Sequence, residues 1–140
     1  MSANLDLVRS IYAGWERGDF SSTAWVDVDI EYGIVGVPEI LSQTWRGLTG
    51  AREGVRAVLG VMELRQIEAE EYRELDGSEV LVLDRRVGRL KRSGMEFGTG
   101  TSVRDGGFGA HVFHVRDGKV TKLVAYFDRG RALADLGLEG

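Results

Sequence analysis

Two long stretches of the chain place apolar side chains at the spacing of an amphipathic helix. The first covers residues 4–17, where large apolar residues recur every three or four positions with charged residues between them. They are Leu5, Val8, Ile11, Tyr12 and Trp15. A glycine follows at position 18 and is well suited to ending this helix. Residues 49–64 repeat the pattern, and a shorter helix is predicted over 129–136.

The rest of the chain alternates apolar and polar residues, as half-buried strands do. A first strand is predicted over residues 28–35, between the two long helices, and residues 45–47 are predicted to form a loop. Five more strands are predicted after the second helix, over 67–75, 80–91, 95–103, 108–115 and 120–127. Asp117-Gly118 is the clearest hairpin signal, because both residue types tolerate positive φ. This order predicts an α+β fold with helices on one side of the sheet.

Composition narrows the class of protein. The 140 residues suit one domain over positions 1–140, and 22 acidic against 18 basic residues argue against a nucleic-acid partner. There are no cysteines, which excludes thiolate nucleophiles and agrees with a reducing, cytoplasmic location. Apolar runs are too short to cross a membrane. Two histidines without a ligand-like spacing predict neither a metal site nor a cofactor.

Several segments then resemble a known family. They are Trp15-Glu16-Arg17-Gly18-Asp19-Phe20, Trp45-Arg46-Gly47, the run from Ala110 to Val120, and Tyr126-Phe127-Asp128-Arg129. Together they are similar to SnoaL-like domains of the nuclear-transport-factor-2-like superfamily. The resemblance implies a strongly curved, mixed but mainly antiparallel sheet that forms a cone. N-terminal helices would close the cone over an apolar pocket, a short C-terminal helix would follow, and a homodimer would form through the outer face of the sheet.

Strand alternation selects His111 as a candidate catalytic residue. In the last predicted hairpin, the more apolar face carries His111 and Phe113 on one strand and Ala125 and Phe127 on the other. A histidine there suits proton transfer, because its usual pKa lies near 6.5. The alternative is a core histidine that is hydrogen-bonded to a neighbouring tyrosine or carboxylate.

The resemblance also implies where carboxylates should lie. In related cyclases a histidine on this strand accompanies an acid/base aspartate on the next strand, at the position of Ala125. Related epoxide hydrolases use an Arg-x-Asp pair, which here reads Arg86-Val87-Gly88. Both expected carboxylates are replaced, so epoxide hydrolysis by that arrangement is not expected.

Asp84 and Arg86 are the remaining catalytic candidates. Asp84 stands in an apolar strand, where it could act as a general base or form a salt bridge with Arg86. Arg86 could hold a carboxylate or enolate, because its guanidinium is a fixed fork of donors. Its alternative role is a structural ion pair.

Aromatic residues supply candidate walls for a pocket. Flat rings can bind a polycyclic ligand, although each ring could equally pack in the core. The candidates are Tyr12, Trp15, Trp25, Tyr32, Trp45, Phe113 and Phe127. The sequence leaves three functions open and favours the first, because the carboxylate expected opposite His111 is replaced by Ala125. They are binding of a small hydrophobic ligand, cofactor-independent cyclase, isomerase or dehydratase chemistry through His111, and a structural dimer domain with a filled pocket.

Overall fold

The computed structural model describes residues 3–20, 22–36, 42–98 and 107–138. Within these ranges it has an α+β fold, as predicted, with three helices beside one seven-stranded mixed sheet. The helices are α1 (Ala3–Glu16), α2 (Gly47–Val61) and α3 (Arg129–Asp135). The strands are β1 (Val26–Val35), β2 (Gln43–Arg46), β3 (Met62–Glu74), β4 (Glu79–Leu90), β5 (Glu96–Phe97), β6 (Phe108–Arg116) and β7 (Lys119–Tyr126).

The sheet has the strand order β2-β1-β7-β6-β4-β3, with β5 paired to β4. Only the β1–β7 pairing is parallel, and the other pairings among the described strands are antiparallel. The β6–β7 hairpin turns at Asp117 (φ 52°) and Gly118 (φ 74°), which confirms the prediction from that dipeptide. Its register pairs His111 with Ala125 and Phe113 with Leu123, so these four residues share one face.

Several boundaries differ from the prediction, and three places show the main differences. Residues 45–46 belong to β2 rather than to a loop, because they pair with β1, and a four-residue strand is too short to show alternation. The second helix ends at Val61, since Met62 already pairs with Leu90 at the start of β3. Of the strand predicted over 95–103, the described part is β5, and residues 99–103 lie outside the described ranges.

The two faces of the sheet are buried in different ways. One face, which we call the inner face, packs under α1 and α2, and its core includes Ile30, Ile67 and Phe113. The opposite, outer face carries Leu81 and Val112, which share an apolar cluster with Ala132 and Leu133 of α3. The prediction of helices on one side is therefore wrong for α3, whose short apolar stripe is buried on the other face. Alternate residues of β4 and β6 therefore enter separate cores.

Candidate functional site

A cavity of about 390 Å³ lies between α2 and the inner face of the sheet. Most of its lining is apolar, including Ile30, Ile67, Leu123 and Ala125. Six of the residues selected from the sequence also line it. They are Trp15, Trp25, Tyr32, Arg86, His111 and Phe127. The volume falls in the range of small-molecule sites.

The other selected residues lie outside the cavity wall. Tyr12 and Phe113 are fully buried in the core, and Trp45 packs beside the Tyr32 ring with 6.1 Å between ring centroids. These three were predicted to bind ligand, and the structure places them behind rings that do line the cavity, so they support the wall without forming it. Asp84, which has no exposed surface, is likewise behind the wall.

Tyr12, Asp84 and His111 form a buried hydrogen-bond cluster directly behind the cavity. The Tyr12 hydroxyl donates to Asp84 Oδ2 at 2.6 Å. His111 Nδ1 lies 2.7 Å from the same oxygen and 2.9 Å from the Tyr12 hydroxyl. One carboxylate oxygen therefore accepts from both neighbours, and the cluster ties α1 to β4 and β6.

Arg86 supplies the positive charge of the cluster. Its Nε lies 3.0 Å from Asp84 Oδ1, although the angle does not suit a hydrogen bond, and its Nη2 donates to the carbonyl oxygen of Ala110 at 3.1 Å. The guanidinium is 1% exposed and lies over the Phe127 ring, 4.3 Å from its centroid. A side chain at Gly109 would place its Cβ 2.6 Å from Arg86 Cζ, so a glycine is needed at that position.

The environment fixes the protonation states. Burial alone would raise the pKa of Asp84, but the Arg86 charge and the bonds from His111 and Tyr12 outweigh it and hold that pKa well below its usual range. Burial lowers the pKa of His111 below 6.5, against the attraction of Asp84. Burial also raises the pKa of Tyr12 well above 10 and that of Tyr32 to about 12. At neutral pH, Asp84 is a carboxylate and His111 is neutral.

These states determine the tautomer of His111. Nδ1 lies 2.7 Å from Asp84 Oδ2 and 3.2 Å from Arg86 Nη2. Asp84 is ionised and can only accept, so the shorter contact places the proton on Nδ1, and the Arg86 contact is then not a hydrogen bond. Nε2 then carries the free lone pair, and it makes no hydrogen bond with any described residue. Since His111 lines the cavity and Asp84 lies behind it, Nε2 is the ring nitrogen available to a ligand. A base held by a buried carboxylate in this way can accept a proton from a bound molecule.

Some cavity residues were not selected from the sequence. Ala51, Val55, Val58 and Leu59 belong to the helical pattern predicted over residues 49–64, and in the structure they form the roof of the cavity. Arg52 and Arg56 also line it from α2, and no sequence signal separated them from other surface arginines.

The described ranges contain neither a candidate metal site nor a candidate membrane-spanning helix. No cluster of three or more histidine or acidic side chains there could hold a metal ion. None of the described helices is both long and apolar enough to span a bilayer.

Comparisons with known proteins place the fold. No family model matches the chain, and no curated protein matches it significantly. Solved structures do match. An NTF2-like protein of unknown function from Burkholderia pseudomallei has a TM-score of 0.73 and 21% identity, over 96% of this chain and 97% of that one. TerC, co-crystallised with polyporic acid, has a TM-score of 0.69 and 24% identity, over 96% and 98% of the two chains.

A third match extends the range of neighbours. A candidate SnoaL-like polyketide cyclase from Mesorhizobium loti has a TM-score of 0.65 and 14% identity, over 86% of this chain and 96% of that one. Identities at this level show the fold alone. The chain has the NTF2-like fold that the sequence segments predicted.

Proposed function

We propose that the chain binds a small, largely apolar carbonyl compound in its cavity. Without a cofactor, it then removes a proton from one carbon of that compound and returns a proton to a carbon of the same molecule. One observation carries the proposal: a neutral histidine, held at Nδ1 by a buried carboxylate, forms part of the wall of an apolar cavity. This departs from the sequence-based preference for binding alone. It does so because Asp84 supplies the carboxylate that is missing at Ala125.

In the proposed reaction, His111 Nε2 removes a proton from the carbon next to the ligand's carbonyl group. The C–H bond breaks, an N–H bond forms, and the electron pair becomes an enolate. Asp84 stabilises the imidazolium through Nδ1–H without itself taking the proton. The imidazolium then returns the proton and becomes the neutral base again. Return to the same carbon exchanges the proton with solvent, and return to the far carbon of an enolate that is conjugated with a C=C bond completes an isomerisation.

Tyr32 is the proposed donor to the developing enolate oxygen. It lines the cavity on β1, and its hydroxyl makes no hydrogen bond with any described residue. Because burial raises its pKa to about 12, it stays protonated and can donate at neutral pH. Tyr12, the alternative donor, is already committed to Asp84.

The proposal includes a cone-like curvature of the sheet around the ligand. Register shifts interrupt the β3–β4 pairing between Leu64 and Gln66 and again between Ala69 and Glu71. Such bulges bend strands. The homodimer expected from the resemblance also stays a proposal. It would have to use the part of the outer face beyond α3, because α3 covers Leu81 and Val112.

Hydrogen–deuterium exchange of 2-tetralone tests the chemistry directly. This bicyclic ketone has acidic protons beside its carbonyl group, and NMR in deuterated buffer reports their removal. We expect the protein to accelerate exchange and His111→Gln to lower the protein-dependent rate by about a hundredfold or more. His114→Gln is the matched control, because that histidine lies on the outer face beside Glu79.

Equal exchange rates in His111→Gln and the unmodified protein would overturn the catalytic proposal. A thermal shift with 2-tetralone, measured on the same samples, separates binding from turnover. Binding without any exchange would instead favour a ligand-binding domain. Ala125 supports that second candidate, because it leaves no carboxylate directly opposite His111.

A further inference from the structure

The charged side chains around the cavity are all positive. Among the described lining residues there are three arginines, Arg52, Arg56 and Arg86, and no aspartate or glutamate. The chain as a whole has the opposite balance, with 22 acidic and 18 basic residues. Because acidic residues outnumber basic ones in the chain, a wall with three arginines and no carboxylate is more positive than the rest of the protein.

The two arginines on α2 are the ones available to a ligand. Arg86 is already paired with Asp84, whereas Arg52 and Arg56 are exposed and make no ion pair with any described residue. Their spacing of four residues places them on the same side of the helix. Two apolar side chains that line the same cavity are also exposed, Leu59 at 40% and Phe20 at 38%, so this group of residues forms the rim.

A rim that combines exposed apolar surface with uncompensated cations suits one class of molecule. An apolar body gains free energy by leaving water for the cavity. An anionic group on the same molecule remains at the rim, partly solvated, and is attracted to the two guanidinium groups. A neutral ligand would gain nothing from Arg52 and Arg56, and a cation would be repelled.

We propose that the ligand is an amphipathic organic anion, with its apolar body in the cavity and a carboxylate or similar oxyanion at Arg52 and Arg56. This rests on the ligand-binding part of the proposed function and narrows it to carbonyl compounds that also carry an acidic group. It does not depend on the role of His111.

Two fluorescent probes with the same ring skeleton test the anion requirement. N-phenyl-1-naphthylamine is neutral, and 8-anilinonaphthalene-1-sulfonate adds one sulfonate. We expect the sulfonate to bind the unmodified protein more tightly than the neutral probe and to displace it, which shows a shared site. Added salt should lower the affinity for the sulfonate and leave the affinity for the neutral probe nearly unchanged, because salt screens only interactions between charges.

The variant Arg52→Gln/Arg56→Gln isolates the rim. We expect about a tenfold loss of affinity for the sulfonate, since each of the two exposed ionic contacts is worth about threefold in affinity. Affinity for the neutral probe should change by less than about twofold. Arg92→Gln/Arg116→Gln is the matched control, because it removes the same charge from residues that do not line the cavity.

The outcomes distinguish the two proposals. Unchanged sulfonate affinity in the rim variant, or an equal loss in the control, would overturn the anion proposal and leave the cavity proposal standing. Failure of both probes to bind the unmodified protein would overturn both. Retained probe preference in His111→Gln, together with lost exchange, would support the two proposals independently.

Discussion

The inner and outer faces of β4 and β6 are built from alternate residues of the same strands, and they differ in what they bury. On the outer face, Leu81 and Val112 belong to an apolar cluster that also includes Ala132 and Leu133 of α3. On the inner face, the same strands bury Asp84, Arg86 and His111, at 0%, 1% and 7% exposure. Burying a charge is costly even when it is paired. Stability alone accounts for the outer face, whereas the buried charges of the inner face are what the proposed proton transfer would require.

The most severe test makes the inner face resemble the outer one. Arg86→Met should lower the free energy of unfolding by about 3–5 kcal/mol, because it leaves Asp84 buried without its counter-charge. Asp84→Leu/Arg86→Met should recover most of that loss, since no unpaired charge remains. Urea denaturation measures both changes.

Both variants should lose 2-tetralone exchange, because His111 no longer has its carboxylate or that carboxylate's partner. Stability recovered together with activity in the double variant would show that the cluster is only structural. If neither variant folds, the buried pair is needed for the fold itself, and the distinction between the two faces fails.

A substitution on the outer face should lower stability without changing the exchange rate. Leu81→Ala should destabilise the protein by about 3 kcal/mol, through lost burial and the cavity that remains. Leu81 has no exposed surface and contacts the outer core, so the exchange rate should stay unchanged below the melting temperature. A fall in the exchange rate of the folded variant would mean that the two faces are coupled.

The fold was predictable because its signals are local. The helical spacing of α1, the alternation of β6 and β7, and Asp117-Gly118 each act over a few residues, and the alternation also placed His111 and Ala125 on one face. β2 was missed since four residues carry too little pattern.

The contact between Asp84 and His111 was not predictable in the same way. It depends on the register of β4 against β6, in which Val82 is opposite His111 and Asp84 is its diagonal neighbour. Alternation along one strand does not determine register between two strands. Tyr12 reaches the same carboxylate from a helix 72 positions away in sequence, a contact that only packing creates.

A substitution in α2, which forms the roof of the cavity, should have a smaller effect on stability. An added Cβ at Gly54 would lie 2.6 Å from Tyr32 Cδ2 and 2.8 Å from Trp45 Cε3. Gly54→Ala should therefore displace rigid rings, lower stability by about 2 kcal/mol and weaken neutral-probe binding through Tyr32. Gly60→Ala is the control on the same helix, because nothing lies within 4 Å of its added Cβ. That control should be neutral or slightly stabilising; equal effects at both positions would contradict the packing argument.

Tyr12→Phe should have the smallest effect on stability, about 1.5 kcal/mol, because it removes the hydroxyl's hydrogen bond to the charged Asp84 carboxylate but keeps the ring against Trp15. The pH dependence of stability and of exchange gives a more specific measurement of what the Tyr12 hydroxyl does. Burial lowers the pKa of His111, so on acidification the unfolded chain takes up a proton first. The stability from neutral His111 is complete above about pH 6.5 and is lost as pH falls through the folded pKa.

Exchange activity requires the same neutral histidine, so it should persist below pH 6.5 in the unmodified protein. Asp84 stays ionised over this range because its pKa is depressed, so the midpoint of the pH–rate profile reports His111. Without the Tyr12 hydroxyl, Asp84 attracts the imidazolium more strongly, and the midpoint should move up in pH. Tyr72→Phe is the control, since that ring touches Tyr12 only edge-on. A midpoint that does not move in Tyr12→Phe would mean that Tyr12 does not tune the base, and the hydroxyl would then be only a packing partner of the inner face.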